Sequence, residues 1–244
     1  MITKERPILF SAPMVRAILE GRKTMTRRPI KILRFGQITE FGKSNTPGYD
    51  WHFRDKRMSW NDMRHSEILA LCPYGQPGQK LWVREAFATD LLRPEPRKAK
   101  GPCEWGNPIY RATFGAMLNP QCEGYSRWKP SIHMPRWASR ITLEVTNIRL
   151  ERLQAITEAD AQAEGVESFP LQGYEPMPGD DRMTVWRDYQ RKIQDDKAGC
   201  FTARNSFETL WESINGAGSW DANQWVWVLE FKPCVAAGKD GAQC

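Results

Sequence analysis

Residues 21–28, Gly-Arg-Lys-Thr-Met-Thr-Arg-Arg, place a lysine and a hydroxyl three residues apart inside a run of arginines. Amide hydrolysis needs an attacking group, a proton acceptor and stabilisation of the oxyanion that develops on the carbonyl. Thr26 offers a hydroxyl, and Lys23 serves as a base where desolvation and the neighbouring charges of Arg22, Arg27 or Arg28 lower its pKa. Geometry adds a constraint. In a regular strand positions 23 and 26 point to opposite faces, so a shared site requires this stretch to be turn or loop, and Gly21 permits one.

The same arginines suit a second chemistry. Residues 1–34 hold nine basic side chains against two acidic ones, a local charge of +7 in a chain whose formal total is +6. A basic cluster on an otherwise balanced protein favours a polyanionic partner, because neutralising phosphates releases counterions. The chain also has eleven tryptophans, several beside arginine, as with Trp82 and Arg84 or Arg136 and Trp137. Bases stack on such neighbours, although most tryptophans belong to cores. Arg140 extends this second basic group, and Glu85, next to Arg84, is a carboxylate able to pair with an arginine of residues 21–28.

Other chemistries find little support. The six cysteines stand far apart, and Cys72, Cys103, Cys122 and His133 lack the short paired spacings of a zinc site, so no metal is expected. The three histidines, His52, His65 and His133, sit near no Ser or Cys motif of a hydrolytic triad, and no phosphate-binding G-x-x-x-x-G-K-[ST] loop is present. No cofactor is therefore expected. Unpaired cysteines without an apolar leader point to a reducing cytoplasm, and nothing approaches the roughly 20 consecutive apolar residues that span a bilayer.

The elements that must position these residues read as follows. After an apolar run at residues 7–10, Ser11 opens a helix that tolerates Pro13 in its first turn, carries Met14, Val15, Ile18 and Leu19 as its apolar stripe, and stops at Gly21. Residues 23–32 form a loop leading into a strand broken at Pro29. Strands follow at residues 81–88 (LWVREAFA), 109–114, 141–150 (ITLEVTNIRL, with period-two alternation) and 224–231 (QWVWVLEF). Thr157 caps a short helix that Gly165 ends, and Phe207, Leu210, Trp211 and Ile214 form the apolar stripe of another ending at Gly216. Residues 35–79, 89–130 and 166–205 are Gly- and Pro-punctuated insertions, the first a surface excursion with a helical turn within 61–69. Residues 234–244 read as a disordered tail. Short strands, single short helices and no regular βαβ series indicate an α+β chain, one domain over residues 1–233, built as a small mixed β-barrel with flanking short helices and long loop insertions.

Gly21, Lys23, Thr26 and Arg28 match the G-x-K-x-x-[ST]-x-R motif, and the chain thereby resembles the ASCH family of PUA-like barrels. The motif's place after a first helix and the order of the later segments extend the resemblance over most of the chain outside the insertions, and the larger members from phages and prophages are the most similar. One compact branch of that family hydrolyses N4-acetylcytidine to cytidine and acetate with a lysine, a threonine three residues on and a glutamate. Aligning that branch's L-T-E-x-x-A-x-x-E segment on residues 156–164 implies Glu164 as the glutamate, beside Lys23 and Thr26. The resemblance thus implies a PUA-like fold and a nucleoside or RNA partner. Around the catalytic residues it implies a binding surface of Gly21, Arg22, Arg27, Arg28, Trp82, Arg84, Glu85, Arg136, Trp137 and Arg140. Whether Lys23 or Thr26 attacks stays open, and so does the substrate, because the compact branch lacks the insertions. Two rival activities are implied as well, a non-catalytic RNA-binding module and a single-strand ribonuclease.

Overall fold

The computed structural model describes residues 5–30, 40–90, 108–115, 120–170, 184–191 and 199–234. The tail beyond Cys234 and half of the expected insertion at 89–130 lie outside the described residues. In chain order the elements begin with β1 (Arg6–Leu9), α1 (Ala12–Leu19), β2 (Met25–Pro29), β3 (Glu40–Lys43), β4 (Trp51–Arg54), β5 (Trp60–Met63), α2 (His65–Ala70) and β6 (Lys80–Arg84). They continue with β7 (Phe87–Ala88), β8 (Ile109–Tyr110), α3 (Arg111–Phe114), β9 (Thr142–Arg152) and α4 (Glu158–Ala163). The last are β10 (Ser168–Pro170), β11 (Thr184–Arg187), β12 (Gly199–Cys200), α5 (Ala203–Asn215) and β13 (Trp225–Pro233).

Two compact units divide the chain, and neither is contiguous. The first comprises Met1–Glu20, Pro77–Thr146 and Phe231–Cys244; the second comprises Gly21–Gln76 and Asn147–Glu230. Both long strands, β9 and β13, begin in one unit and finish in the other.

In the first unit β1 runs parallel to β6, with Ile8 opposite Val83, and β6 pairs antiparallel with the start of β9, with Leu81 opposite Leu143. Alternation buries Ile8, Leu81, Val83, Leu143 and Val145 on one side. α1 covers apolar surface with Met14, Val15, Ala17 and Ile18. The expected continuous strand at 81–88 is broken: Glu85 and Ala86 leave the ladder, and Phe87 and Ala88 re-pair with Tyr110 and Ile109. The physical reason is that the Glu85 side chain is turned into the interior, onto an arginine, while the Ala86 carbonyl accepts the Arg111 N–H at 2.9 Å. The expected strand at 109–114 likewise stops after Tyr110, where α3 begins.

The second unit places β13 between β2 and the end of β9, with Thr26 opposite Leu229 and Arg28 opposite Trp227. Four consecutive residues, Val226, Trp227, Val228 and Leu229, are buried, as in a strand covered on both faces. Residues 40–63 depart from the expected surface excursion: β3, β4 and β5 form an antiparallel meander. Trp51 and Phe53 of β4 are fully buried, and the Trp51 ring meets Trp225 edge-on at 4.9 Å. Strands of four residues carry a weak periodic signal, and the β4 to β5 turn hides further because a non-glycine, Met58, takes its positive φ of 63°. β10, β11 and β12 form a second small sheet where loop was expected. α5 lays Phe207, Leu210 and Trp211 inward and packs against α4.

The chain is therefore α+β. Among the described residues none of the four sheets closes into a barrel, which would require the outermost strands of a sheet to pair with each other. Nor is any described helix long and apolar enough to cross a membrane.

Candidate active site

Local backbone structure in the second unit brings Lys23 to Glu164. Gly21, at φ +75°, reverses the chain after α1, a conformation that costs an L side chain strain. Lys23 and Thr24 then precede β2, and the Thr24 N–H donates to the Ala163 carbonyl at 2.9 Å, fastening this segment along the end of α4. α4 itself is fixed at both ends. Thr157 accepts the Asp160 N–H in an N-cap, the Glu158 carboxylate accepts the backbone N–H groups of Ala203 and Arg204 at the start of α5, and Gly165 turns the chain away at φ +79°. Glu164 is the C-cap residue of this short helix.

Lys23 Nζ donates to the Glu164 carbonyl at 2.6 Å and to Glu164 Oε2 at 2.8 Å, with side chains only 2% and 4% exposed. A lysine so deeply buried is costly to keep charged. Burial holds the Lys23 ammonium below its ordinary value; Glu164 opposes that shift, while Arg28 and then Arg27 add to it. A lowered pKa favours the neutral amine, the form able to accept a proton, as the sequence led us to expect of Lys23.

Arg27 approaches the same carboxylate from β2. Its guanidinium lies 3.7 Å from Glu164 Oε1 but donates instead to Asp160 at 2.8 Å and Glu151 at 3.0 Å. Farther out, Arg149 contacts Glu151, Asp160 and Glu230. Two cations, Lys23 and Arg27, thus share one deeply buried carboxylate, and a rim of partly exposed carboxylates balances the arginine. Glu164 Oε1 and Arg27 Nε are buried and have no hydrogen-bond partner among the described residues.

Thr26 is buried on β2. The alternation that turns Arg27 toward α4 turns Thr26 to the opposite face, the geometric constraint anticipated from the sequence. Lys23 escapes that constraint by lying ahead of the strand. Arg22 is exposed and donates to the Gly165 carbonyl at 3.3 Å, Gly21 is exposed, and Arg28 is half-buried on β2.

The other expected binding residues all belong to the first unit and gather around a different pair. Glu85, 1% exposed, accepts both arms of Arg140 at 2.8 and 3.0 Å, and the Arg140 guanidinium also covers the Tyr110 ring at 4.0 Å. Burial raises the Glu85 carboxyl and pushes the Tyr110 phenol up to about 12. Arg84 donates to the Met134 carbonyl, and Arg136 donates to Glu5 and Thr142. Trp82, half-buried, carries Arg84 at 5.0 Å and Arg136 at 6.0 Å from its ring centre, and Trp137 packs with it on the Phe87, Met134 and Ala138 core. Two of the protein's own arginines thus lie over the Trp82 ring.

Asp160, Glu151, Arg149 and Glu230 were not anticipated. Asp160 and Glu164 stand four apart on one short helix, a spacing that presents both to the same neighbour, and this was the available signal. No group of three or more His, Cys, Asp or Glu side chains suited to a metal occurs among the described residues; Cys103 and the Cys122 side chain lie outside them. Comparison of the chain with protein-family models, with curated proteins and with solved structures finds no match to any of them.

Proposed function

We propose that this chain is an amidohydrolase of ASCH type on a PUA-like fold, removing an acyl group from an N-acylated nucleoside such as N4-acetylcytidine. The observation that carries the reading is the buried contact between Lys23 Nζ and Glu164, 2.8 Å long, in which desolvation favours the neutral amine. Structural ion pairs seldom bury a lysine so completely, and perturbed groups of this kind concentrate where protons are moved. The choice of substrate rests on the motif resemblance at Gly21, Lys23, Thr26 and Arg28.

In this reading Glu164 orients the Lys23 amine. The amine takes a proton as a water molecule adds to the acyl carbonyl, and returns it to the nucleoside nitrogen as the carbon–nitrogen bond breaks. Water is assigned as the attacking group, and strand alternation sets Thr26 on the face of β2 opposite Arg27. The RNA-binding and ribonuclease readings draw less support, since Arg27, Arg84, Arg136 and Arg140 already hold partners within the protein.

Incubating the purified chain with N4-acetylcytidine and related N-acylated nucleosides, with deacylation read by chromatography, tests the proposal. Lys23→Ala is expected to lower turnover by about 10²- to 10⁴-fold, the usual worth of a positioned acid–base group, whereas Thr26→Val is expected to retain it. No turnover by the unaltered chain on any acylated nucleoside would sink the reading and favour RNA binding.

A further inference from the structure

We propose that Arg27 is a positioning residue that sets the charge state of the Lys23–Glu164 pair, and that Asp160 and Glu151 regulate it by holding its guanidinium off Glu164. The inference rests on reading that pair as the working site. Its basis is a set of competing distances: Arg27 lies 2.8 Å from Asp160 and 3.0 Å from Glu151 but 3.7 Å from Glu164 Oε1, which no described group hydrogen-bonds.

Lys23 and Arg27 are rival cations for one buried carboxylate. Were Arg27 to close on Oε1, Glu164 would be shared and its hold on the lysine ammonium weakened. Were the arginine charge absent, Lys23 would become the sole cation of Glu164 and would bind its proton more tightly. The arrangement lies between these limits, and the carboxylates on the rim set the balance. The charged groups around the pair are Arg22 ahead of β2, Arg27 and Arg28 on β2, Asp160 on α4, Arg149 and Glu151 on β9, and Glu230 on β13. Arg27 lies within ion-pair distance of Glu164 and also donates hydrogen bonds to the rim carboxylates.

The test is a titration of the Lys23 amine by NMR in the lysine-labelled full chain, without substrate, using Lys23→Met to assign the signal. Arg27→Met is expected to move the midpoint up, Asp160→Asn to move it down, and Arg27→Lys, which keeps the charge, to leave it near that of the unaltered chain. In the pH profile of deacylation the acid limb should follow the same directions, with turnover at neutral pH about tenfold or more lower in Arg27→Met. An Arg27→Met midpoint equal to that of the unaltered chain would overturn the inference. If that variant fails to fold, Asp160→Asn decides alone, because Asp160 is on the partly exposed rim. Since the titration needs no substrate, an unaltered chain without deacylase activity defeats the functional reading, whereas an unmoved midpoint defeats the role of Arg27.

Discussion

Glu85 and Glu164 are both buried carboxylates holding a cation, yet they are built differently. Glu85 meets Arg140 fork to fork, with each oxygen hydrogen-bonded and the arginine side chain 26% exposed. Glu164 uses one oxygen for Lys23 and leaves the other without a hydrogen bond among the described residues; its cation is almost sealed from solvent, and a second cation stands close by. The first arrangement satisfies its members and ties Glu85, just after β6, to Arg140, just before β9. The second leaves a proton poorly held. Burial alone therefore does not mark a functional charge. The mark is a partner set that is incomplete, since burial shifts Glu85 toward its neutral form as well.

The largest effect that sharpens this contrast is expected at the satisfied pair. Glu85→Ala strands Arg140 and should cost about 3 kcal/mol, measurable as a drop in the urea midpoint, because removing one partner of a buried pair leaves the other uncompensated. Residual deacylation by the folded fraction should be normal. A variant that keeps its stability but loses turnover would break the comparison.

A smaller effect concerns pH. Because Lys23 must be neutral to take a proton, kcat/KM should rise with pH by about tenfold per pH unit below the Lys23 midpoint and then level off. Stability should respond with opposite signs at the two sites. The Glu85 carboxyl is raised above its ordinary 4.5, so its contribution is complete at pH below that value and is lost as pH climbs through the raised one. Lys23 is lowered from 10.5, so the folded chain releases this proton before the unfolded chain does, and stability increases from the depressed value toward 10.5. Denaturation midpoints for Lys23→Met and Glu85→Gln across pH 4 to 10 would expose the two slopes; identical slopes would contradict the distinction. The smallest effect is at Thr157. Losing the cap of α4 in Thr157→Ala should cost about 1 kcal/mol, with a decrease in turnover because α4 carries Glu164.

Much of this architecture was legible in the sequence, and the failures have physical causes. Period-two alternation revealed β9, the QWVWVLEF run revealed β13, and Gly21, Thr157 and Gly165 punctuated the helices flanking the site, because these signals are local. The β3 to β5 meander was missed since Trp51 and Phe53 alternate over only four residues. The site was half legible. Lys23 and Glu164 meet as the motif alignment implied, but which partner each arginine takes depends on non-local geometry: Arg27 finds carboxylates 124 and 133 residues away, and Arg140 finds one 55 residues back. Thr26 lies on β2 while Lys23 precedes the strand, a boundary that no residue type in the stretch announces.

The passage of β9 and β13 from one unit into the other has a consequence for synthesis. A ribosome that has released residues 1–146 has not delivered the first unit, which still awaits Phe231 and the Cys234 N–H that donates to the Thr142 carbonyl. The second unit likewise needs Gly21 and Glu230 together. Folding must therefore be late and governed by long loop closures, and no single contiguous fragment reproduces either half, so gene truncation is the wrong tool for isolating the lysine site.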